Sequence, residues 1–249
     1  MITAIIPTLN EENFIEEAIA SVSFADEIIV VDSYSQDHTI DLAERHKVKI
    51  VQRKFDNFSS QKNFAIDLAK HDWIYVLDAD ERVSPDLKEE ILNAVKNPND
   101  CVGFYIYRTF YFTGIRIRYG GWQTDKVIRL FKKDSCRYDG KLVHEQIIYE
   151  GKIGFLANRI DHYSYKNLKQ YAGKLDLYSS LQAHELMEAK KKITLIHRWV
   201  KPGFRFIVLY FIRFGFLDGS RGYTLAKLHT EAVKQRYLKL ELLKNKEAV

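Results

Sequence analysis

Only two cysteines, Cys101 and Cys136, occur in 249 residues, so the chain has no disulfide framework and no cysteine metal site, and at most one bridge. It also lacks a zinc-finger spacing, an RRM signature and an arginine-rich stripe, which sets nucleic-acid binding aside. No Gly-x-Gly-x-x-Gly follows the first apolar run, and no Gly-x-x-x-x-Gly-Lys-Ser/Thr occurs anywhere. A dinucleotide Rossmann site and a P-loop are therefore not expected, and a bound diphosphate would be held by metal and basic side chains. Long apolar runs are missing too: Phe204 to Leu217 is too short, and too often interrupted by Arg205 and Arg213, to span a bilayer. At the start, Pro7, Asn10 and Glu11 break up what could have been a signal-peptide core, and no basic leader precedes them, which predicts a cytoplasmic location. The net charge of +5 is a mild excess. It suits diphosphate or membrane-surface partners without demanding nucleic acid.

What is present is a strand-helix alternation from the first residues. Thr3-Ala4-Ile5-Ile6-Pro7, Glu27-Ile28-Ile29-Val30-Val31-Asp32, Val48-Lys49-Ile50-Val51-Gln52 and Trp73-Ile74-Tyr75-Val76-Leu77 read as strands. Amphipathic stretches separate them, and continuous β-branched runs of this kind predict a parallel sheet covered on both faces. The fourth run leads straight into Asp78-Ala79-Asp80-Glu81, followed by the helix-starting Ser84-Pro85-Asp86. Closely spaced carboxylates at the carboxyl end of a strand lie where open α/β sheets bind ligands, and hard oxygen donors there suit Mg²⁺ or Mn²⁺ shared with a phosphate. An isolated Asp-x-Asp is more often a solvated turn, so its context decides. That context is a row of strand ends bearing polar groups: Asn10 and Glu11 after the first, Asp32 after the second, Asp78 and Asp80 after the fourth.

Ile5-Ile6-Pro7-Thr8-Leu9-Asn10-Glu11-Glu12, Ile29-Val30-Val31-Asp32-Ser33, Gln61-Lys62-Asn63-Phe64-Ala65 and Asp72 to Glu81, in that order, resemble the inverting family 2 glycosyltransferases of GT-A fold. Gly120-Gly121-Trp122, Arg129-Leu130-Phe131 and Val143-His144-Glu145 are similar to the lipopolysaccharide core β-glucosyltransferase branch. The resemblance implies that Pro7, Asn10, Glu11, Asp32, Lys62 and Asp78 bind the nucleotide-sugar donor, with Asp32 at the base and Asp78 toward the ribose. It implies Asp80, with Asp78, as ligand of Mg²⁺ or Mn²⁺, and Trp122 and His144 on the acceptor side. Asn10 as a helix cap and Asp32 as a strand-end turn residue are the structural rivals. An inverting transfer needs a base for the acceptor hydroxyl. Glu145 is the first candidate and Asp125 the second.

The expected architecture is α/β: a GT-A (nucleotide-diphospho-sugar transferase) fold with a mostly parallel central sheet over residues 1–164, and a helical C-terminal extension over 165–249. Leu168, Tyr171, Leu175, Tyr178 and Leu181 mark a long helix, His197 to Gly203 breaks the pattern, and Leu225 to Lys246 supplies a final basic helix. The aromatic and basic stretch between has two readings: an interfacial segment in the headgroup layer of the inner membrane face, or a helix packed on the catalytic domain or in a homo-oligomer interface. The implied activity moves a sugar, UDP-glucose being the suggested donor, to a hydroxyl of a bacterial surface glycan or lipid-linked core. Transfer to polyprenyl phosphate is the nearest alternative. A phosphotransfer protein of the haloacid dehalogenase kind would carry its Asp-x-Asp after the first strand and continue into Thr, unlike Glu81-Arg82 here. A non-catalytic carbohydrate-binding protein is the alternative outside enzymes.

Overall fold

The computed structural model describes residues 1–140, 145–165 and 168–247. They form two compact units, one of residues 1–108 and 125–162, the other of 109–124 and 163–249.

In the first unit, β1 (Ile2–Thr8), β2 (Glu27–Asp32), β3 (Lys49–Gln52) and β4 (Trp73–Val76) lie parallel in the order β3-β2-β1-β4. α1 (Ile15–Ser21), α2 (Thr39–Ala43) and α3 (Phe58–Leu68) are the crossovers. Successive strand residues point to opposite faces. Ile2, Ala4, Ile6, Val30 and Tyr75 therefore pack with α1 in one apolar cluster, whereas Ile5, Ile29, Val31, Ile74 and Val76 pack with Ala65 and Ile66 of α3 in another. Burial on both faces is why these strands read as unbroken apolar runs. Pro7 is tolerated because the ladder to β4 has already ended, Leu77 N donating to Ile5 O at 2.9 Å, so its missing N–H leaves no gap.

β5 (Glu81–Arg82) and α4 (Pro85–Lys96) follow, the helix capped by Ser84 Oγ accepting from Leu87 N at 3.2 Å. The sheet then turns antiparallel. Of β6 (Cys101–Phe112), β7 (Ile115–Ile117), β8 (Lys126–Lys132), β9 (Cys136–Tyr138), β10 (Ile147–Tyr149) and β11 (Lys152–Tyr165), β8 pairs antiparallel with β4, and the order continues β8-β6-β11-β5. β9 and β10 make a separate two-stranded ribbon. Cys101 and Cys136 are buried free thiols, and burial pushes Cys136 up to about 11.

The second unit has its own aromatic core of Phe110, Phe112, Ile117, Tyr171 and Leu225, with Trp122 stacked on Phe110 at 5.4 Å. α5 (Leu168–Glu188) packs on α7 (Gly219–Glu247) through Ala183, Tyr237 and Leu240. Between them, α6 (Lys201–Ile207) is flanked by wide π-helical turns at Ile196–Val200 and Val208–Ile212. The expected break over 197–203 is thus helical. Pro202 sits in the first turn of α6, where a missing N–H costs least, and the chain leaves helix earlier, at Lys190 with φ of 51°. No helix among the described residues is long and apolar enough to cross a membrane.

His229 in this core accepts or donates a 2.7 Å hydrogen bond with Tyr171 Oη, and burial, aided by Arg205, holds its imidazole down to about 4. The unfolded chain takes up this proton near pH 6.5, the folded one only near 4, so acid favours unfolding. Stability is complete above about pH 6.5 and falls by roughly 2 to 3 kcal/mol across the window down to 4. Urea midpoints at pH 7 and 5 should diverge in the native chain and converge in His229→Gln, apart from what other groups contribute.

Candidate functional site

Because β1, β2 and β4 are parallel, with Thr8 beside Asp32 and Ile5 beside Val76, their carboxyl ends bring three loops to one edge. The first two loops are stitched together. Asn10, at φ of 57°, accepts from Gln36 N at 2.8 Å, and its own N–H donates to Ser35 Oγ at 2.8 Å. Glu11 N donates to Thr39 Oγ1 at 2.7 Å. Asp32 is fully buried and accepts from Ser35 N at 3.0 Å, Ser35 Oγ and Gln52 Nε2 at 3.1 Å. Its carboxylate therefore shapes the loop that follows β2. Pro7 is half-buried on the same edge.

The loop after β4 meets a run of alternating charges. Lys62 Nζ of α3 donates to Glu145 Oε1 at 2.9 Å and lies 3.6 Å from Asp78 Oδ1. Arg129 of β8 donates to the other Asp78 oxygen and, at 2.7 Å, to Glu81 Oε1. Glu81 is also 3.6 Å from Arg108 Nη1, and Arg108 grips both oxygens of Asp125, at 2.9 and 3.1 Å. Lys62, Glu81 and Arg129 are buried. Burial alone would push the Asp78 carboxyl up, but Arg129 and Lys62 outweigh it and hold it well below the usual carboxylate range. The converse holds for Lys62: burial would pull the ammonium down, and Asp78, with Glu145 behind it, keeps it above its ordinary value.

Asp80 has different company. β5 pairs antiparallel with β11, placing His162 opposite Glu81, and His162 Nε2 comes to 3.3 Å from Asp80 Oδ2. Two ligands of one octahedral ion, each about 2.1 Å from it, stand about 3 Å apart, so this oxygen-nitrogen pair fits a shared divalent cation. Among the described residues there is no group of three or more His, Cys, Asp or Glu able to hold a metal, so the remaining ligands of such an ion would be water or substrate oxygens.

Of the residues singled out from sequence, Lys62, Asp78 and Glu145 are thus joined directly, and Asp125 is joined to them through Arg108, Glu81 and Arg129. Of the two expected metal ligands, Asp80 has a second metal-type donor beside it, while Asp78 has cations on both oxygens. Trp122 lies in the second unit, half-buried and edge-on to His229 at 5.6 Å. His144 lies outside the described residues. Sequence reasoning missed the roles of Glu81, Arg108, Arg129 and His162. Arg129 had a signal, an Arg inside the apolar run of Arg129-Leu130-Phe131, since a buried strand arginine requires a carboxylate partner. His162 had none, because nothing local tells that a two-residue strand pairs with β11.

A parallel β-α half that ends in an acidic loop, extended by antiparallel strands carrying buried cations to that loop, is the GT-A arrangement of nucleotide-sugar transferases. The family model for glycosyl transferase family 2 matches residues 3–147, and the chain belongs to that family. It is a glycosyltransferase. An uncharacterized glycosyltransferase of Rickettsia felis is 31% identical over 262 residues, covering 100% of this chain and 93% of the relative. The lipopolysaccharide core biosynthesis glycosyltransferase LpsC of Rhizobium meliloti is 26% identical over 250 residues, 95% of this chain and 93% of its own length. Among solved structures, glucosyl-3-phosphoglycerate synthase of Mycobacterium tuberculosis with Mn²⁺, UDP and glucosyl-3-phosphoglycerate overlaps 54% of this chain and 57% of its own, at TM-score 0.42 and 17% identity.

Proposed function

We propose that this glycosyltransferase moves a sugar from a nucleotide-diphosphate donor, UDP-glucose or a close relative, to a hydroxyl of the lipopolysaccharide core, with inversion at the anomeric carbon. The observation that carries the reading is the division of labour in the loop after β4, where Asp78 is neutralised by Lys62 and Arg129 while Asp80 faces His162. The likeness to LpsC along nearly the whole chain supports the choice of acceptor. Pro7, Asn10, Glu11 and Asp32 line or brace the edge that would receive the nucleoside, and Asp78 would approach the ribose.

Asp80 and His162 would hold Mn²⁺ or Mg²⁺, the imidazole favouring Mn²⁺, and when bound the ion supplies neutralisation of the departing diphosphate. Glu145 takes the proton of the acceptor hydroxyl as that oxygen bonds to the anomeric carbon, and the nucleoside diphosphate leaves with the electron pair of the broken C–O bond. Lys62 Nζ donates to Glu145 Oε1 at 2.9 Å and so fixes where that side chain stands. Asp125 is the less suited base, since Arg108 engages both of its oxygens. Incubation of the enzyme with UDP-glucose and a truncated core acceptor should yield a β-linked product by the anomeric coupling in its NMR spectrum. Glu145→Gln keeps the size and removes the proton acceptor, so turnover should fall at least about 10²-fold with donor affinity nearly unchanged. Near-normal turnover would pass the role to Asp125, and an α-linked product would refute inversion.

A further inference from the structure

The helical run from Ile196 to Ile212, in the second unit, is amphipathic in the reverse of the usual sense. Pro202 and Leu209 are its buried residues. Ile196, Val200, Phe204, Ile207, Phe211 and, just beyond, Phe214 recur every three or four positions and are all exposed, Phe204 by 59% and Phe211 by 55%. Trp199, beside this stripe, is 67% exposed. A surface helix ordinarily turns such a stripe inward, and a monomer in water rarely leaves so large an apolar patch uncovered.

Charge says what covers it. No Asp or Glu stands between Glu188 and Asp218, whereas seven lysines and arginines do. Arg198 is paired with Glu241 and Arg205 is half-buried beside Tyr171 and His229, but Arg213 is exposed and has no carboxylate partner among the described residues. Apolar side chains exposed within an acid-free, cationic segment match a surface that is apolar below and anionic above. A second copy of the chain matches poorly, because a two-fold contact through this segment would bring its cations against the same cations.

We propose that the face over residues 196–214 docks on an anionic lipid bilayer, its aromatic and aliphatic side chains at the acyl boundary and its arginines and lysines among the headgroup phosphates. This goes beyond the transferase reading and is tested without any nucleotide sugar. The full chain should sediment with phosphatidylcholine vesicles that contain phosphatidylglycerol and stay in solution with phosphatidylcholine alone. Its partition coefficient should drop as salt rises, and by about fivefold for each cation removed at low salt. Arg213→Gln, at an exposed position, should therefore lower it about fivefold. Phe204→Ser with Phe211→Ser, both at exposed positions, should abolish sedimentation at every salt with an unchanged circular dichroism spectrum. The unaltered chain alone decides the question if a variant misfolds: failure to sediment with anionic vesicles at low salt overturns the proposal. So does a dimer in sedimentation equilibrium that the serine variant dissolves while vesicle binding is absent throughout, since the face then belongs to a second copy.

Discussion

Asp80→Ala should remove the dependence of donor binding on Mn²⁺ and lower kcat/KM by at least about 10³-fold, the several kcal/mol that a divalent ion contributes to a departing diphosphate. Asp80 sits in the loop after β4 with His162 Nε2 3.3 Å from its Oδ2, and the fold should survive the change. Calorimetric titration with UDP, in Mn²⁺ and then in chelator, reads the effect directly. The native chain should bind more tightly with the ion, and the variant should bind equally in both. His162→Gln should lie between them, weakened about 10- to 100-fold, because an amide oxygen can replace the ring nitrogen only in part. An Asp80→Ala enzyme whose UDP affinity still rises with Mn²⁺ would move the metal elsewhere, and the cation-held Asp78 would be the first place to look.

The second large effect concerns folding. Arg129 is buried between Asp78 and the fully buried Glu81. Arg129→Met keeps much of the volume but leaves Glu81 with Arg108 Nη1, at 3.6 Å, as its cation and the Asp78 N–H, at 3.1 Å, as its hydrogen-bond donor, and should cost about 3–5 kcal/mol, the usual penalty for stranding one partner of a buried pair. The urea midpoint should shift accordingly. Adding Glu81→Gln to the methionine variant should recover part of the loss, since the stranded charge is then gone, and that non-additivity separates an electrostatic role from mere packing. Two simply additive losses would mean that Arg129 acts by filling space.

Some of this architecture was legible in the sequence because it depends on local pattern. Val30-Val31-Asp32 and Trp73 to Asp78 read correctly as strands running into polar loops, since burial on both faces demands continuous apolar residues whatever the neighbours are. Ser84-Pro85 announced α4 for an equally local reason, an oxygen free to cap and a ring that needs no donor. The order of the family blocks carried the class of chemistry. The turn at 197–203 misled, because Pro and Gly side by side signal a break unless the preceding turn widens.

What the chain alone determined is therefore the parallel β-α half, the acidic loop at the end of its fourth strand, and the family to which these belong. Only tertiary structure decided which groups face which. Asp78 and Arg129 are 51 residues apart, Lys62 and Glu145 are 83 apart, and Asp80 meets a histidine from the last strand of the sheet. Those pairings depend on β8 inserting beside β4 and on β11 reaching the two-residue β5. Strand order is chosen by the packing of whole faces against one another, and that leaves no mark on the local spacing of residues.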